Sequence, residues 1–260
     1  MPRRYDCAMT RPLVAVLLLC ALGAAHAGDR AADGVTRFYG YAFELASGKY
    51  LYTEVHERKY RGERWIGGGT RYLNADGNDL AIKTLDFAAD PFVPVYRLDE
   101  PAAGYAEGIT SAGDPIAMVR QERAGKRDTG QVQRDGLMAA DAGFTTLLLA
   151  HFDELMKGDT VRFRIVAVSR FDSFKFRARR IADAAIDGKP AIVIEAEVDS
   201  MLKLFAAPLQ FIFDPASKRL LEYRGPSNLR DPATGKTWDV RISYAATPPK
   251  EAGKLPPLDP

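Results

Sequence analysis

Apolar and polar positions alternate along most of this chain, and that period of two predicts strands before anything else. In 37–45 the residues Tyr39, Tyr41, Phe43 and Leu45 point one way, and the turn Ala46-Ser47-Gly48-Lys49 follows. In 50–57, Leu51, Thr53 and Val55 then stand opposite Tyr52, Glu54 and His56, which makes the pair a β-hairpin. A third strand over 63–73 is interrupted by Gly67-Gly68-Gly69, the composition of a bulge or a sharp bend of the sheet. A turn at Asn74-Ala75-Asp76-Gly77-Asn78 leads to a strand over 79–86, with shorter ones over 92–98 and 104–109. The polar stretch 113–136 reads as strand remnants joined by exposed loop.

The period changes once. Phe144, Leu147, Leu148, His151 and Leu155 fall at helical spacing, with Asp141 placed to cap the start and Lys157-Gly158 to end it. Leu149, Phe152 and Met156 widen the apolar surface, so this helix is expected to pack into the concavity of the sheet. Strands then return. Val161, Phe163, Ile165 and Ala167 oppose Arg162 and Arg164; Phe174 and Phe176 oppose Lys175, Arg177 and Arg179; Ile192, Ile194 and Ala196 oppose Glu195 and Glu197. The basic and acidic faces suit cross-strand ion pairs on a solvated surface. A short helical segment over 200–206 precedes strands over 209–213, 219–224 and 237–244, and the proline-rich tail 247–260 reads as disordered. Together these elements predict an α+β fold: a large curved antiparallel β-sheet, half-barrel-like, wrapping one long helix and a short helical segment. Residues 28–246 form a single β-rich domain with no internal repeat.

The segment 1–27 breaks the pattern. Arg3, Arg4 and Arg11 precede an apolar run over 13–25, and Ala25-His26-Ala27 is a small-x-small cleavage site, so 1–27 reads as a secretory signal peptide. The run is shorter than the ~20 residues of a spanning helix. Cys20 lies inside the run after three leucines, a poor context for lipidation. The expected location of the product is the periplasm, with no membrane span in the mature chain.

Cleavage changes the charge. The whole chain carries 36 Lys+Arg against 34 Asp+Glu, and losing Arg3, Arg4, Arg11 and Asp6 leaves 33 of each. A neutral product has no general electrostatic reason to bind nucleic acid. Cys7 and Cys20 leave with the signal, which removes disulfides, thiol nucleophiles and cysteine metal sites.

No motif names a reaction. Gly235-Lys236-Thr237 matches the end of a phosphate loop, but Arg230 stands where its first glycine belongs. Asp76-Gly77-Asn78-Asp79 lacks the spacing and distal glutamate of a calcium loop, and neither a Gly-x-Ser-x-Gly elbow nor His-Glu-x-x-His occurs. Only His56 and His151 remain after cleavage, so a three-histidine metal site is excluded. His151, on the apolar stripe, suits either a core imidazole or a general base; His56, beside Glu54 and Tyr52, is expected to be exposed. No cofactor, metal or catalytic residue is assigned.

In layout, with its hairpins, one buried helix and closing meanders such as Gln210-Phe211-Ile212-Phe213-Asp214-Pro215 and Arg219-Leu220-Leu221-Glu222-Tyr223, the chain resembles the half-barrel lipoprotein carriers of the Gram-negative periplasm and their exported relatives. That resemblance implies a curved sheet around helices and a cavity for acyl chains. It covers most of the mature chain without a short motif, so no residue role is carried over. The expected function is noncatalytic binding of an apolar or amphiphilic, lipid-like ligand on the concave face, by Tyr39, Tyr41, Phe43, Phe144, Leu148, His151, Phe174 and Phe176. An envelope protein is a possible further partner, and a periplasmic hydrolase using His151 or His56 is the alternative.

Overall fold

A computed structural model describes residues 33–122, 125–199 and 207–258. The segment 1–27, read as a signal peptide, and the helical segment expected at 200–206 lie outside the described residues.

The alternating segments form one 15-stranded sheet in which nearly every strand pairs with its sequence neighbours. The first hairpin joins β1 (Asp33–Glu44) and β2 (Tyr50–Arg61), followed by β3 (Arg64–Leu73), β4 (Asp79–Asp86), β5 (Val95–Glu100) and β6 (Tyr105–Ser111). The polar stretch holds a regular hairpin, β7 (Ile116–Gln121) and β8 (Arg127–Val132), where remnants were expected. After the two-residue β9 (Met138–Ala139) and the helix come β10 (Val161–Ala167), β11 (Asp172–Ile186), β12 (Lys189–Val198), β13 (Leu209–Phe213), β14 (Leu220–Arg230) and β15 (Thr237–Ser243). The long-range pair is β1 with β15, which joins the first and last strands at the middle of the sheet; β8 and β9 form its edges. All pairs are antiparallel except β9 with β10.

The glycine run acts as a bend. Register shifts between Lys59 and Tyr60 opposite β3, and a Cβ on Gly68, at φ +140°, would lie 2.0 Å from the Glu57 carbonyl oxygen. Only glycine allows this approach, and it tightens the coil of β2 to β4. At the far side the turn after β10 reaches back to β7: Arg120 donates to the Ser169 carbonyl at 2.7 Å and covers the Phe171 ring at 5.1 Å. The two ends of the sheet thus meet through side chains rather than a backbone ladder.

The helix is α1 (Gly143–Ala150) followed by α2 (Phe152–Met156), divided at His151, whose backbone departs from helical values (φ −104°, ψ 18°). Its i to i−4 bonding continues through the irregularity, since the His151 amide donates to Leu147 and the Leu155 amide to His151. Phe144, Leu147, Leu148, Phe152 and Leu155 are buried in a core with Phe163, Ala178, Ile192, Ile194, Phe211 and Phe213. The helix therefore fills the concavity over β10 to β13. A second core joins β1 to β7 through Ala42, Tyr52, Tyr72, Leu98, Ile109 and Met118.

Composition suggested no packing for the tail, yet residues 247–258 are described against the convex face. Ala252 is fully buried, Gly253 sits against the Ala75 carbonyl, and the Tyr39 hydroxyl donates to the Pro256 carbonyl. The expected ion pairs are in register: Arg177 faces Glu197 at 2.9 Å. Among the described residues no helix is long and apolar enough to cross a membrane.

Candidate ligand-binding site

The period of two places Tyr52, Glu54, His56 and Arg58 of β2 on the concave wall, opposite Tyr72, Thr70 and Gly68 of β3, with Lys83 of β4 beyond Thr70. Burying this many polar groups is unfavourable unless each finds a partner. Most do. His56 Nε2 lies 2.8 Å from Glu54 Oε2, and Thr70 Oγ1 lies 3.1 Å from His56 Nδ1. Gly40 makes room for the carboxylate, since a Cβ there would sit 2.9 Å from Glu54 Oε2. Burial lowers the pKa of His56 below 6.5, against the pull of Glu54, so the imidazole is neutral at pH 7. Neutral His56 then donates from Nε2 to Glu54 and accepts the Thr70 hydroxyl at Nδ1. His56 was expected to be exposed; the curl of β2 turns its face inward.

Lys83 Nζ contacts both carboxylate oxygens of Asp141, at 2.8 and 3.0 Å, with both side chains nearly buried. The expected helix cap is therefore used otherwise. Asp141, at φ +46°, bonds only its neighbour's amide, Ala142, and spends its carboxylate on β4, pinning the start of the helix to the wall.

Arg58 differs. Its guanidinium carbon lies 4.4 Å from the Trp65 ring and 4.8 Å from the Phe38 ring, and Phe38 stacks on His56 at 4.6 Å. The buried Nε has no hydrogen-bond partner, and no described residue forms an ion pair with the group.

These residues line two adjoining hollows along the seam between the helix-filled half and the strand-only half. The inner one, about 160 Å³, is bounded by Glu54, His56, Lys83, Asp141, Phe144 and Tyr244. The outer one, about 330 Å³, is lined by Phe38, Tyr60, Leu149 and Leu220 among apolar groups and by Arg37, Arg58, Lys218 and Arg219; no carboxylate among the described residues lines it. The two share Arg58, Thr145, Leu220 and Tyr244. Burial raises the pKa of Tyr244 well above 10.0, so its phenol stays neutral.

Of the residues expected at a concave site, Phe144 alone lines these hollows. Leu148 is fully buried in the core beneath the helix. Tyr39, Tyr41 and Phe43 alternate with Phe38, Gly40 and Ala42 and so stand on the convex face of β1, where the tail approaches Tyr39 and Arg241 covers Phe43 at 4.5 Å. His151, at the helix irregularity, is partly exposed and 3.0 Å from Glu154. Phe174 is 38% exposed, and Phe176 packs on Phe163 at 6.2 Å. Arg58, Lys83, Thr70 and Tyr244 were not singled out from the sequence. Continuing the alternation of His56 by two positions would have found Arg58.

Fold and site together define a half-barrel-like protein with a partly polar cavity. No family model matches the chain, and no curated protein does. Among solved structures, the fold comparison finds a β-barrel-like protein of a domain of unknown function, DUF1849, from Brucella abortus, at 8% identity and a TM-score of 0.35, covering 82% of this chain and 96% of that one.

Proposed function

We propose that this is an exported, periplasmic, noncatalytic binding protein that holds an apolar or amphiphilic ligand in the seam of its half-barrel. The observation that carries the reading is the outer hollow, where aromatic and aliphatic side chains meet the guanidinium of Arg58, whose Nε lacks a hydrogen-bond partner; its volume of about 330 Å³ lies at the small end of the ~300–1,000 Å³ usual for ligand sites. The signal-like segment 1–27 and the resemblance of the sequence layout to lipoprotein carriers support the compartment and the ligand class. The test is native mass spectrometry of the protein recovered from cells expressing the full chain, followed by organic extraction. A copurifying lipid-like molecule supports the reading; a clean apo mass together with no uptake of added amphiphile would count against it.

A second reading, a hydrolase centred on His56, has one observation in its favour: Thr70, His56 and Glu54 form a hydrogen-bonded chain of the kind that activates a hydroxyl. Thr70 is only 2% exposed, which keeps its hydroxyl from a substrate carbonyl and leaves binding the better reading. Turnover of p-nitrophenyl esters that disappears in Thr70→Ala and His56→Ala would favour the enzyme instead.

A further inference from the structure

We infer that the ligand carries an acidic head, a carboxylate or a phosphate, and that this head sits on the guanidinium of Arg58. The inference rests on the binding reading above and adds the chemistry of the head.

Every other buried charged side chain of this wall has a hydrogen-bonding partner in place. Lys83 is neutralised by Asp141, and Glu54 is hydrogen-bonded to His56. At the mouth, Arg37 holds Glu57 at 2.7 Å and Lys218 holds Asp153 at 2.8 Å. Arg58 has aromatic faces on its flanks and a buried Nε with nothing to donate to. The rings of Trp65 and Phe38 fix its plane, so little side-chain freedom remains to be lost when a ligand arrives. A guanidinium held in one plane is a fork for two oxygens of one anion, a geometry that carboxylates and phosphates share.

The surroundings select the same sign. The outer hollow is lined by Arg58 and Arg219, by Arg37 and Lys218, each paired with a carboxylate outside the lining, and, among the described residues, by no carboxylate. A cationic head would meet like charge there, and a neutral head would leave Arg58 without an ion-pair partner. Phe38, Tyr60, Leu149 and Leu220 in the same hollow supply the surface for a chain attached to the head.

The test is calorimetric titration of the protein, recovered from cells expressing the full chain and stripped of any copurifying ligand, with decanoate, decyl phosphate, decanol and decyltrimethylammonium. At least one acid should bind about tenfold or more tighter than decanol, as expected for a pair of charge-assisted hydrogen bonds, and the ammonium compound should bind weakest. The stronger of decanoate and decyl phosphate identifies the head. Arg58→Gln should bring the preferred acid down to the level of decanol, while Arg58→Lys should keep a reduced preference because it retains charge without the fork. Equal binding of decanol and both acids overturns the inference without any variant and leaves the binding reading standing; so does a preference that survives in folded Arg58→Gln. Failure of all four compounds to bind overturns the inference together with the binding reading.

Discussion

Over β10 to β13 the concave face meets α1 and α2 through Phe144, Leu147, Phe152, Phe211 and Phe213, while over β2 to β4 the same face carries Glu54, His56, Arg58, Thr70 and Lys83. One sheet thus lines its two halves with opposite chemistry. The first half needs no explanation beyond stability, since each buried aromatic or leucine side chain contributes roughly 1.5–3 kcal/mol. The second half costs stability wherever a group lacks a partner, and Arg58 is such a group. A cavity at the boundary between the halves follows from their mismatch: the helix interlocks with apolar side chains on one side and meets polar ones on the other.

Phe213→Ala should be the most damaging change, at about 3–5 kcal/mol, because Phe213 is fully buried against Phe152 at 5.7 Å and the cavity left behind cannot collapse. Urea denaturation followed by circular dichroism measures this, and affinity for an amphiphile measured at low urea should be little changed. Next comes Lys83→Met, which strands the Asp141 carboxylate and should cost about 3 kcal/mol, whereas Lys83→Met with Asp141→Asn, which removes the charge and tolerates φ +46°, should recover most of that loss. A double variant no better than the single one would show that the pair does more than balance charge.

A pH effect separates the halves more finely. Because the folded pKa of His56 lies below 6.5, the unfolded chain binds the proton first as pH falls. The contribution of neutral His56 is therefore present above about pH 6.5 and lost as pH falls through its lowered folded value. Stability measured over that window should decline towards acid, and the decline should be shallower in His56→Gln. The smallest effect belongs to His151→Ala: its pair with Glu154 is partly exposed, so the loss should stay within about 0.5 kcal/mol and ligand binding should not change.

Much of the sheet was legible because alternation is a local property. The strands over 79–86 and 209–213 coincide with Asp79–Asp86 and Leu209–Phe213, and Tyr52, Glu54 and His56 do share a face. Which face of β1 and β2 looks inward was not legible. Both faces of β1 carry aromatic rings, and the convex one is covered by a tail whose composition gave no sign of packing. The length of β14 was also hidden. It continues past Arg224 to Arg230, whose amide donates to Glu100 on β5 at 3.0 Å and whose guanidinium covers Tyr105 at 3.4 Å, contacts between strands that are not neighbours in the sheet. His151 was placed on the inner stripe because the spacing assumes a regular helix, and the irregular backbone at that residue turns it towards solvent.

On the binding reading, the seam cavity rather than some other surface receives the ligand. Thr145 borders both hollows from α1, so Thr145→Trp should fill their junction without touching Arg58 chemically. The decisive measurement is a calorimetric titration of the unaltered protein and of Thr145→Trp with the same amphiphile, with urea midpoints confirming that both are folded. Binding to the first and at least tenfold weaker binding to the second is the expected result. Equal affinity in two folded proteins would contradict it.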